Sequence, residues 1–301
     1  MAFNWQTFRT RALTALLFVI IMLVGLLWNK WSFLLLFSII HFGCWFEYQK
    51  LVGLIDTGYQ TINPFHKYGV MIGGYGLMLF FTNDWFLTAN VSLHSIGWVL
   101  ALVGLLIIPV SELLFSKQFH LKYIAHSLFG LIYISLSWGL LLNLRSGAMW
   151  MPQNGDGEFA NISTLLAKIS GYVIPLIIIG SIWINDTMAY IVGSLIGKTP
   201  LSAISPKKTW EGTIGGIILA VAVMYAIGYI SQSSSAWLWA VIALVAAIAG
   251  TCGDLLESKL KRLANVKDSG SFMPGHGGFL DRFDSLLLAT PFVWLLLKLI
   301  N

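Results

Sequence analysis

Charged side chains are scarce in this 301-residue chain. Only 10% of the residues are Asp, Glu, Lys or Arg, whereas 57% are hydrophobic. A soluble domain usually carries about 25% charged residues, so too few are present here to cover a water-exposed surface of this size. The shortage excludes an ordinary soluble enzyme and indicates an integral membrane protein that crosses the bilayer several times.

Cysteine and familiar catalytic motifs are also rare or missing. Cys44 and Cys252 both lie in apolar stretches, which favours two free thiols over a disulfide framework or a cysteine-type metal site. No HExxH zinc-protease motif occurs, and GSLIGKT at 193–199 has three residues between its glycines where a P-loop has four. The sequence therefore predicts neither a zinc protease nor a P-loop protein.

Long apolar runs, in contrast, are abundant. A helix that spans the bilayer needs about 20 mostly apolar residues, and backbone groups in lipid must be paired within the segment. We therefore predict an all-α, polytopic fold with about nine transmembrane helices, the first of them retained and not cleaved as a signal peptide. The predicted spans lie near residues 11–28, 31–48, 68–82, 93–115, 123–142, 169–190, 213–230, 236–253 and 285–300.

Basic residues are distributed unevenly between the predicted loops. With the N-terminus in the cytoplasm, all but four of the 18 Lys and Arg residues lie on the inner side, as the positive-inside rule requires. This explains the net charge of +5 without a nucleic-acid partner, and an anionic lipid or phosphate substrate adds a second reason for it. We expect residues 1–165 to form about five spans and an outer loop, and residues 166–301 to carry a site at the cytoplasmic face.

Acidic residues of the second half lie at the ends of predicted spans or in inner loops. Seven of the 13 acids are found there: Asp186, Glu211, Asp254, Glu257, Asp268, Asp281 and Asp284. The spacing of Asp254, Glu257 and Lys261 puts them on one helical face, and Asp281 and Asp284 begin the next helix. If the two helix ends converge, their carboxylates suit Mg²⁺, which takes one or two carboxylates besides substrate phosphates. The alternative is that the acids only pair with neighbouring Lys and Arg on a wet loop.

Two further stretches suit anionic ligands. In PGHGG at 274–278 the glycines permit positive φ, and their backbone N–H groups can form an anion nest. In SPKKTWEG at 205–212, Ser205 or Thr209 can cap a helix whose N-terminus attracts phosphate. A capped helix start with ordinary cytoplasmic lysines explains the second stretch equally well.

The charged segment of the second half resembles the signature of the phosphatidate cytidylyltransferases (CDP-diacylglycerol synthases). The matching residues, in the family's order and spacing, are Ser258, Lys261, Arg262, Lys267, Asp268, Pro274, His276, Gly277, Gly278, Asp281, Arg282 and Asp284. Met273 is a minor departure from the pattern. The resemblance covers about the last 120 residues, since the first half matches only as hydrophobic helices.

This resemblance implies a reaction of CTP with phosphatidate that gives CDP-diacylglycerol and pyrophosphate. A phosphatidate oxygen would attack the α-phosphorus of CTP without a covalent enzyme intermediate. The family also implies a Mg²⁺-dependent homodimer in the lipid bilayer, with a second cation as an option, and we expect the bacterial inner membrane with the site facing the cytoplasm.

The resemblance also implies roles for particular residues. The catalytic candidates are Asp254, Asp281, Lys267, Asp268, His276 and Arg282. The substrate-binding candidates are Ser205, Lys207, Lys208, Thr209, Ser258, Lys261, Arg262, Gly277 and Gly278. The metal candidates are Asp254 and Asp281 first, then Asp186, Glu257 and Asp284.

Other functions remain open at this point. A CTP-dependent polyprenol or lipid kinase, or a cytidylyltransferase of ether lipids, needs the same metal and phosphate machinery. An ion-coupled transporter is a more distant alternative, because it predicts acids spread over several spans near the midplane. In this chain the acids cluster beside cations at one face.

Overall fold

The computed structural model describes residues 5–88, 91–115, 120–146, 171–231, 236–272 and 277–300. These residues form nine long α-helices, which confirms the predicted all-α fold. The helices are α1 (Trp5–Leu27), α2 (Lys30–Ile55), α3 (Pro64–Phe80), α4 (Leu93–Phe115), α5 (Leu121–Ser146), α6 (Val173–Ile196), α7 (Trp210–Ile230), α8 (Ala236–Leu263) and α9 (Leu280–Ile300). A small antiparallel ladder pairs Leu87–Thr88 with Val91–Ser92.

Each of the nine predicted spans overlaps one of these helices. Seven helices, α2 and α4 to α9, are long and apolar enough to cross a membrane, so the chain is an integral membrane protein. Helix α3 has 17 residues, and the apolar part of α1, Leu13–Leu27, is also short. The number of helices that cross the bilayer therefore stays a prediction.

Local signals set where several helices begin. The Asn29 side chain accepts hydrogen bonds from the backbone of Trp31 and Ser32 and caps α2. Asn63 caps α3 in the same way and is followed by Pro64 at the first helical position, where proline is favoured because it has no N–H to satisfy. Within α5, residues Leu131–Leu136 form a π-helical turn.

The helices pack in two neighbouring groups. Helix α3 lies against α4, where a Cβ on Gly73 would come within 2.9 Å of Gly104 Cα. Helices α6, α7, α8 and α9 pack against one another, and α9 also contacts α2 and α5. One continuous hydrophobic core includes residues from both groups. The predicted division at 165/166 falls in 147–170, outside the described residues, and stays a prediction.

Candidate active site

Four carboxylates from three different helices line one cavity of about 260 Å³. Asp186 lies on α6, Asp254 on α8, and Asp281 and Asp284 on α9, and the same cavity is lined by Lys261 and Arg282 among others. The charged end of α8 and the start of α9 therefore converge, as their sequences suggested, and α6 joins them. We call this space the carboxylate cavity.

A larger cavity of about 550 Å³ adjoins the carboxylate cavity, because Asp186 and Asp254 line both. Four predicted substrate ligands contribute to its wall: Ser205, Lys207, Lys208 and Thr209. Its size lies within the range of small-molecule sites. We call it the lysine cavity, and it has the positive side chains that a polyphosphate requires.

The loop that carries these lysines is held in shape by hydrogen bonds. The Leu201 N–H donates to the Lys208 carbonyl at 2.7 Å, and the Trp210 N–H donates to the Thr199 carbonyl at 2.9 Å. The Glu211 carboxylate accepts from the backbone N–H groups of Lys198 and Thr199 at 3.2–3.3 Å and from the Thr199 hydroxyl. Because Glu211 stands in the first turn of α7, it fixes the loop to that helix.

Thr209 begins α7 as the sequence suggested. Its hydroxyl accepts from the Gly212 N–H at 3.1 Å, which satisfies one of the free N–H groups of the helix start. The cap and Glu211 together place the backbone of Lys208 beside α8.

Asp254 sits where the two cavities meet. Its Oδ2 forms an ion pair with Lys208, and its Oδ1 accepts from the Ser258 hydroxyl at 3.2 Å. The side chains of Asp254 and Lys208 are each 29% exposed, so both remain accessible to a ligand. A ligand that binds Lys208 therefore competes with Asp254 for it.

Lys261 bridges two carboxylates on the inner side of the site. Its Nζ lies 2.5 Å from Glu257 Oε2 and 2.6 Å from Asp281 Oδ1. Glu257 is fully buried and Lys261 only 14% exposed. Removing either charge would leave the other uncompensated in the interior, which is costly. These contacts indicate a structural role for Lys261 and Glu257 in addition to the predicted one.

Asp281 is occupied by hydrogen bonds from the chain itself. Its Oδ1 receives the Lys261 ammonium, and its Oδ2 accepts the backbone N–H groups of Ser269 and Gly278 at 2.9 and 2.8 Å. The Ser269 hydroxyl is also within 2.9 Å of Oδ2. Asp281 thus closes the loop between α8 and α9, in which Gly277 has a φ of +83°. The Gly278 N–H, predicted to bind substrate, already has a partner.

The structure also reveals a residue that the sequence interpretation missed. Glu47, on α2, accepts the backbone N–H groups of Phe279 and Leu280 at 2.9 Å each and the Ser269 hydroxyl at 2.7 Å. A signal was present, because Glu47 is an acid inside the predicted span 31–48, and acids at membrane depth mark functional positions. The clustering of charge in the second half drew attention away from it.

Other predicted residues lie away from the two cavities. Arg262, Lys267 and Asp268 are exposed at the end of α8 and on the following loop, outside the lining of the carboxylate and lysine cavities. His276 lies outside the described residues. The roles predicted for these four residues stay predictions.

The side chains of the carboxylate cavity do not form a complete cage for a metal ion, but they suit Mg²⁺. Among the described residues no group of three or more His, Cys, Asp or Glu side chains is arranged to hold a metal ion. Magnesium needs only one or two carboxylates if phosphates and water complete its shell. Asp186, Asp254, Asp281 and Asp284 all line the cavity, but the oxygens of Asp281 are already engaged by hydrogen-bond donors of the chain. The donor chemistry thus suits an ion that arrives with a phosphate substrate.

Comparisons with known proteins show the family to which this chain is similar. The model of the cytidylyltransferase family matches residues 9–300. Phosphatidate cytidylyltransferase 4, chloroplastic, of Arabidopsis thaliana is 37% identical over 185 residues, which is 58% of this chain and 47% of that protein. The phosphatidate cytidylyltransferase of Bacillus subtilis is 45% identical over 122 residues, or 40% of this chain and 45% of its own length. The chain thus spans just under half the length of these curated relatives.

Proposed function

The chain belongs to the cytidylyltransferase family, and from this premise we propose that it is a membrane-bound cytidylyltransferase that acts on phosphatidate. It transfers the CMP group of CTP to the lipid and releases pyrophosphate, and the product is CDP-diacylglycerol. The names of the matched relatives support this choice of substrates. It supplies an intermediate of phospholipid synthesis.

The observation that carries the proposal is a row of three neighbouring cavities, of which the first is cationic and the last is apolar. The lysine cavity meets the carboxylate cavity at Asp186 and Asp254. The carboxylate cavity in turn shares Phe18 and Arg282 with a third cavity of about 220 Å³, whose remaining lining consists of hydrophobic side chains of α1, α2, α9 and the loop before α9. There is therefore a cavity of matching chemistry for the polyphosphate, for the reacting groups and for an acyl chain, in that spatial order.

Each substrate has a proposed position along this row of cavities. The triphosphate of CTP lies in the lysine cavity, where Lys207 and Lys208 bind its oxygens. The phosphate of phosphatidate lies beside Arg282, at the boundary between the polar and apolar cavities, with an acyl chain among Phe18, Phe279 and their neighbours. In this arrangement the phosphates of CTP and phosphatidate meet beside the carboxylates. A water-soluble acceptor would not require the neighbouring apolar cavity.

The transfer is a direct displacement. An oxygen of the phosphatidate phosphate forms a bond to the α-phosphorus of CTP, and the bond from that phosphorus to the bridging oxygen of the β-phosphate breaks. The pyrophosphate leaves with the electron pair. Lys208 exchanges its contact with Asp254 for a contact with the triphosphate, and this makes an oxygen of Asp254 available.

We propose that Asp254 is the first carboxylate ligand of Mg²⁺ and that either Asp186 or Asp284 is the second, with substrate phosphates and water completing its shell. When bound, the ion neutralises phosphoryl oxygens as charge moves to the leaving group. Among the chain's own groups, Lys207 and Lys208 orient the triphosphate and Arg282 orients the lipid phosphate. Such positioning increases the reaction rate, because two anionic reactants repel each other and must be held in line.

The test is a reconstitution of the purified protein with CTP labelled in the cytosine ring, phosphatidate and Mg²⁺. We expect label in CDP-diacylglycerol, a requirement for the metal, and release of pyrophosphate. Label recovered in free CDP, with the γ-phosphate of CTP on the lipid, would show a lipid kinase instead. A strong preference for an ether-linked acceptor over phosphatidate would indicate the ether-lipid enzyme, and label that remains in CTP under every condition would overturn the proposal.

The position in the cell is also proposed. The distribution of Lys and Arg supports a site that faces the cytoplasm, in the inner membrane of a bacterium. A homodimer is expected from the family resemblance, and cross-linking in the native membrane would test it.

A further inference from the structure

One contact joins the first part of the chain to the loop that completes the site. Glu47 belongs to α2, whereas its partners Ser269, Phe279 and Leu280 lie between the end of α8 and the start of α9, more than 220 residues later. The Ser269 side chain is buried, with 1% of the residue exposed. A carboxylate with three donors at 2.7–2.9 Å is a built anchor and not an incidental surface contact.

The anchor acts on the start of α9. The first N–H groups of a helix have no partner within the helix, and a negative charge near them is stabilising. Glu47 takes the N–H groups of Phe279 and Leu280, and Asp281 takes that of Gly278. These amides are therefore satisfied by the chain's own carboxylates. The phosphates of the substrates must be bound elsewhere, which agrees with the cationic lining of the lysine cavity.

The anchor extends from Glu47 into the carboxylate cavity. The Ser269 hydroxyl lies 2.7 Å from Glu47 Oε2 and 2.9 Å from Asp281 Oδ2, so it is shared between the two acids. Asp281 binds Lys261, which also binds Glu257. A shift of Glu47 is therefore transmitted to the α9 turn that carries Arg282 and Asp284, both of which line the carboxylate cavity.

Glycines in the loop leave room for this carboxylate. A Cβ on Gly270 would lie 2.6 Å from Glu47 Cδ, and a Cβ on Gly278 would also collide with the Glu47 carboxyl group. Side chains at these two positions would therefore displace Glu47 or the loop. The close approach of Glu47 is sufficient to explain glycine at positions 270 and 278. This explanation does not require these glycines to bind phosphate.

We propose that Glu47 is a positioning residue for the transfer reaction. It touches neither substrate in the arrangement above. It holds the start of α9 so that Arg282 and Asp284 face the reacting phosphates. The expected effect on kinetics rests on the proposed function. The anchoring itself rests only on the hydrogen bonds of Glu47.

The main test is Glu47→Gln, which keeps the side-chain size and one carbonyl oxygen but removes the charge. A misplacement of about 1 Å can cost up to roughly a hundredfold in rate. We therefore expect kcat to fall at least about tenfold, while the KM for CTP changes less than about twofold because other helices line the lysine cavity. Gly270→Ala should reproduce this pattern, since it displaces the same carboxylate without altering it. Asp56→Asn is the matched control and should leave both constants unchanged, because this acid follows the C-terminal end of α2 and pairs with Lys122, not with the loop before α9.

A second measurement separates anchoring from catalysis. Ser271 is exposed on the anchored loop, and a Ser271→Cys variant can be labelled with a maleimide in a background with Cys44 and Cys252 replaced by alanine. We expect Glu47→Gln to increase the labelling rate several-fold. Turnover per folded molecule equal to wild type in Glu47→Gln would overturn the positioning role, and an unchanged labelling rate would overturn the anchor. A wild-type protein that makes no CDP-diacylglycerol would overturn the proposed function, and the labelling rate would still decide the anchor.

Discussion

At the scale of single residues, the carboxylates of the site differ in what they are free to do. Asp254 has an ion pair with a partly exposed lysine and one hydroxyl donor, whereas Asp281 is surrounded by four donors of the chain. From the sequence, both acids were equal first candidates for metal binding, because each lies in a charged stretch at the end of a helix, although only Asp281 belongs to the signature. Their hydrogen bonds separate a residue available to a ligand from one that holds the loop.

Asp254→Asn is therefore expected to abolish most activity without unfolding the protein. The variant keeps the shape but removes the charge that would face Mg²⁺ and the triphosphate. Loss of one electrostatic stabiliser lowers turnover roughly a hundredfold or more. Initial rates at saturating Mg²⁺ and a thermal melt in detergent check both parts. Normal turnover at an equal amount of folded protein would rule out Asp254 as a metal or substrate ligand.

Asp281→Asn is expected to act mainly on stability. The amide of the variant cannot neutralise Lys261. Its NH₂ group also replaces a carboxylate oxygen that accepts hydrogen bonds in the wild-type protein. Breaking a buried pair by removing one partner costs about 3–5 kcal/mol. Thermal or denaturant unfolding should show this loss, with Asp254→Asn as the comparison, whose pair is more exposed. An Asp281→Asn protein that melts like wild type and yet is inactive would instead place Asp281 among the metal ligands.

At the scale of helices, the apolar runs predicted nearly every element because a chain in lipid must satisfy its backbone within the segment. The ends were harder to predict. Helix α8 continues ten residues beyond the predicted 253, to Leu263, because its charged face remains helical outside the apolar run. Helix α9 begins at Leu280 and not at 285, because Glu47 and Asp281 satisfy its first N–H groups.

The start of α7 offers a test at this scale. Glu211 holds the loop of Lys207 and Lys208 through the backbone of Lys198 and Thr199. Glu211→Ala should loosen that loop and raise the KM for CTP by about tenfold, equivalent to about 1.4 kcal/mol of binding, with a smaller effect on kcat. Steady-state kinetics with varied CTP measure it. A KM for CTP equal to that of wild type would show that the loop does not bind the nucleotide.

At the scale of the whole molecule, the packing of α2 against α9 was beyond sequence reasoning. Nothing local to residue 47 indicates that its partners are residues 269, 279 and 280, since the contact depends on how two distant helices come together. The sidedness of the loops that the positive charges indicate stays a prediction, whereas the structure does bring lysines and acids of the site together.

The predicted orientation has a direct test with introduced cysteines. Ser271 and Ser231 are both exposed and lie on opposite sides of the predicted membrane. In a background without Cys44 and Cys252, an impermeant maleimide added to intact cells should label Ser231→Cys and reach Ser271→Cys only after lysis. Labelling of both from the same side would contradict the nine-span topology.

The anchor at Glu47 has a consequence for the order in which the protein is made. After residue 47 the ribosome adds 233 further residues, the last of which is Leu280, whose N–H donates to Glu47. At about 5–20 residues per second, this takes roughly 12–47 s. During that interval the nascent α2 carries an acid whose partners have not yet been translated. The reaction centre is consequently assembled late in biogenesis, and a nascent chain stalled before α9 would be inserted in the membrane but inert.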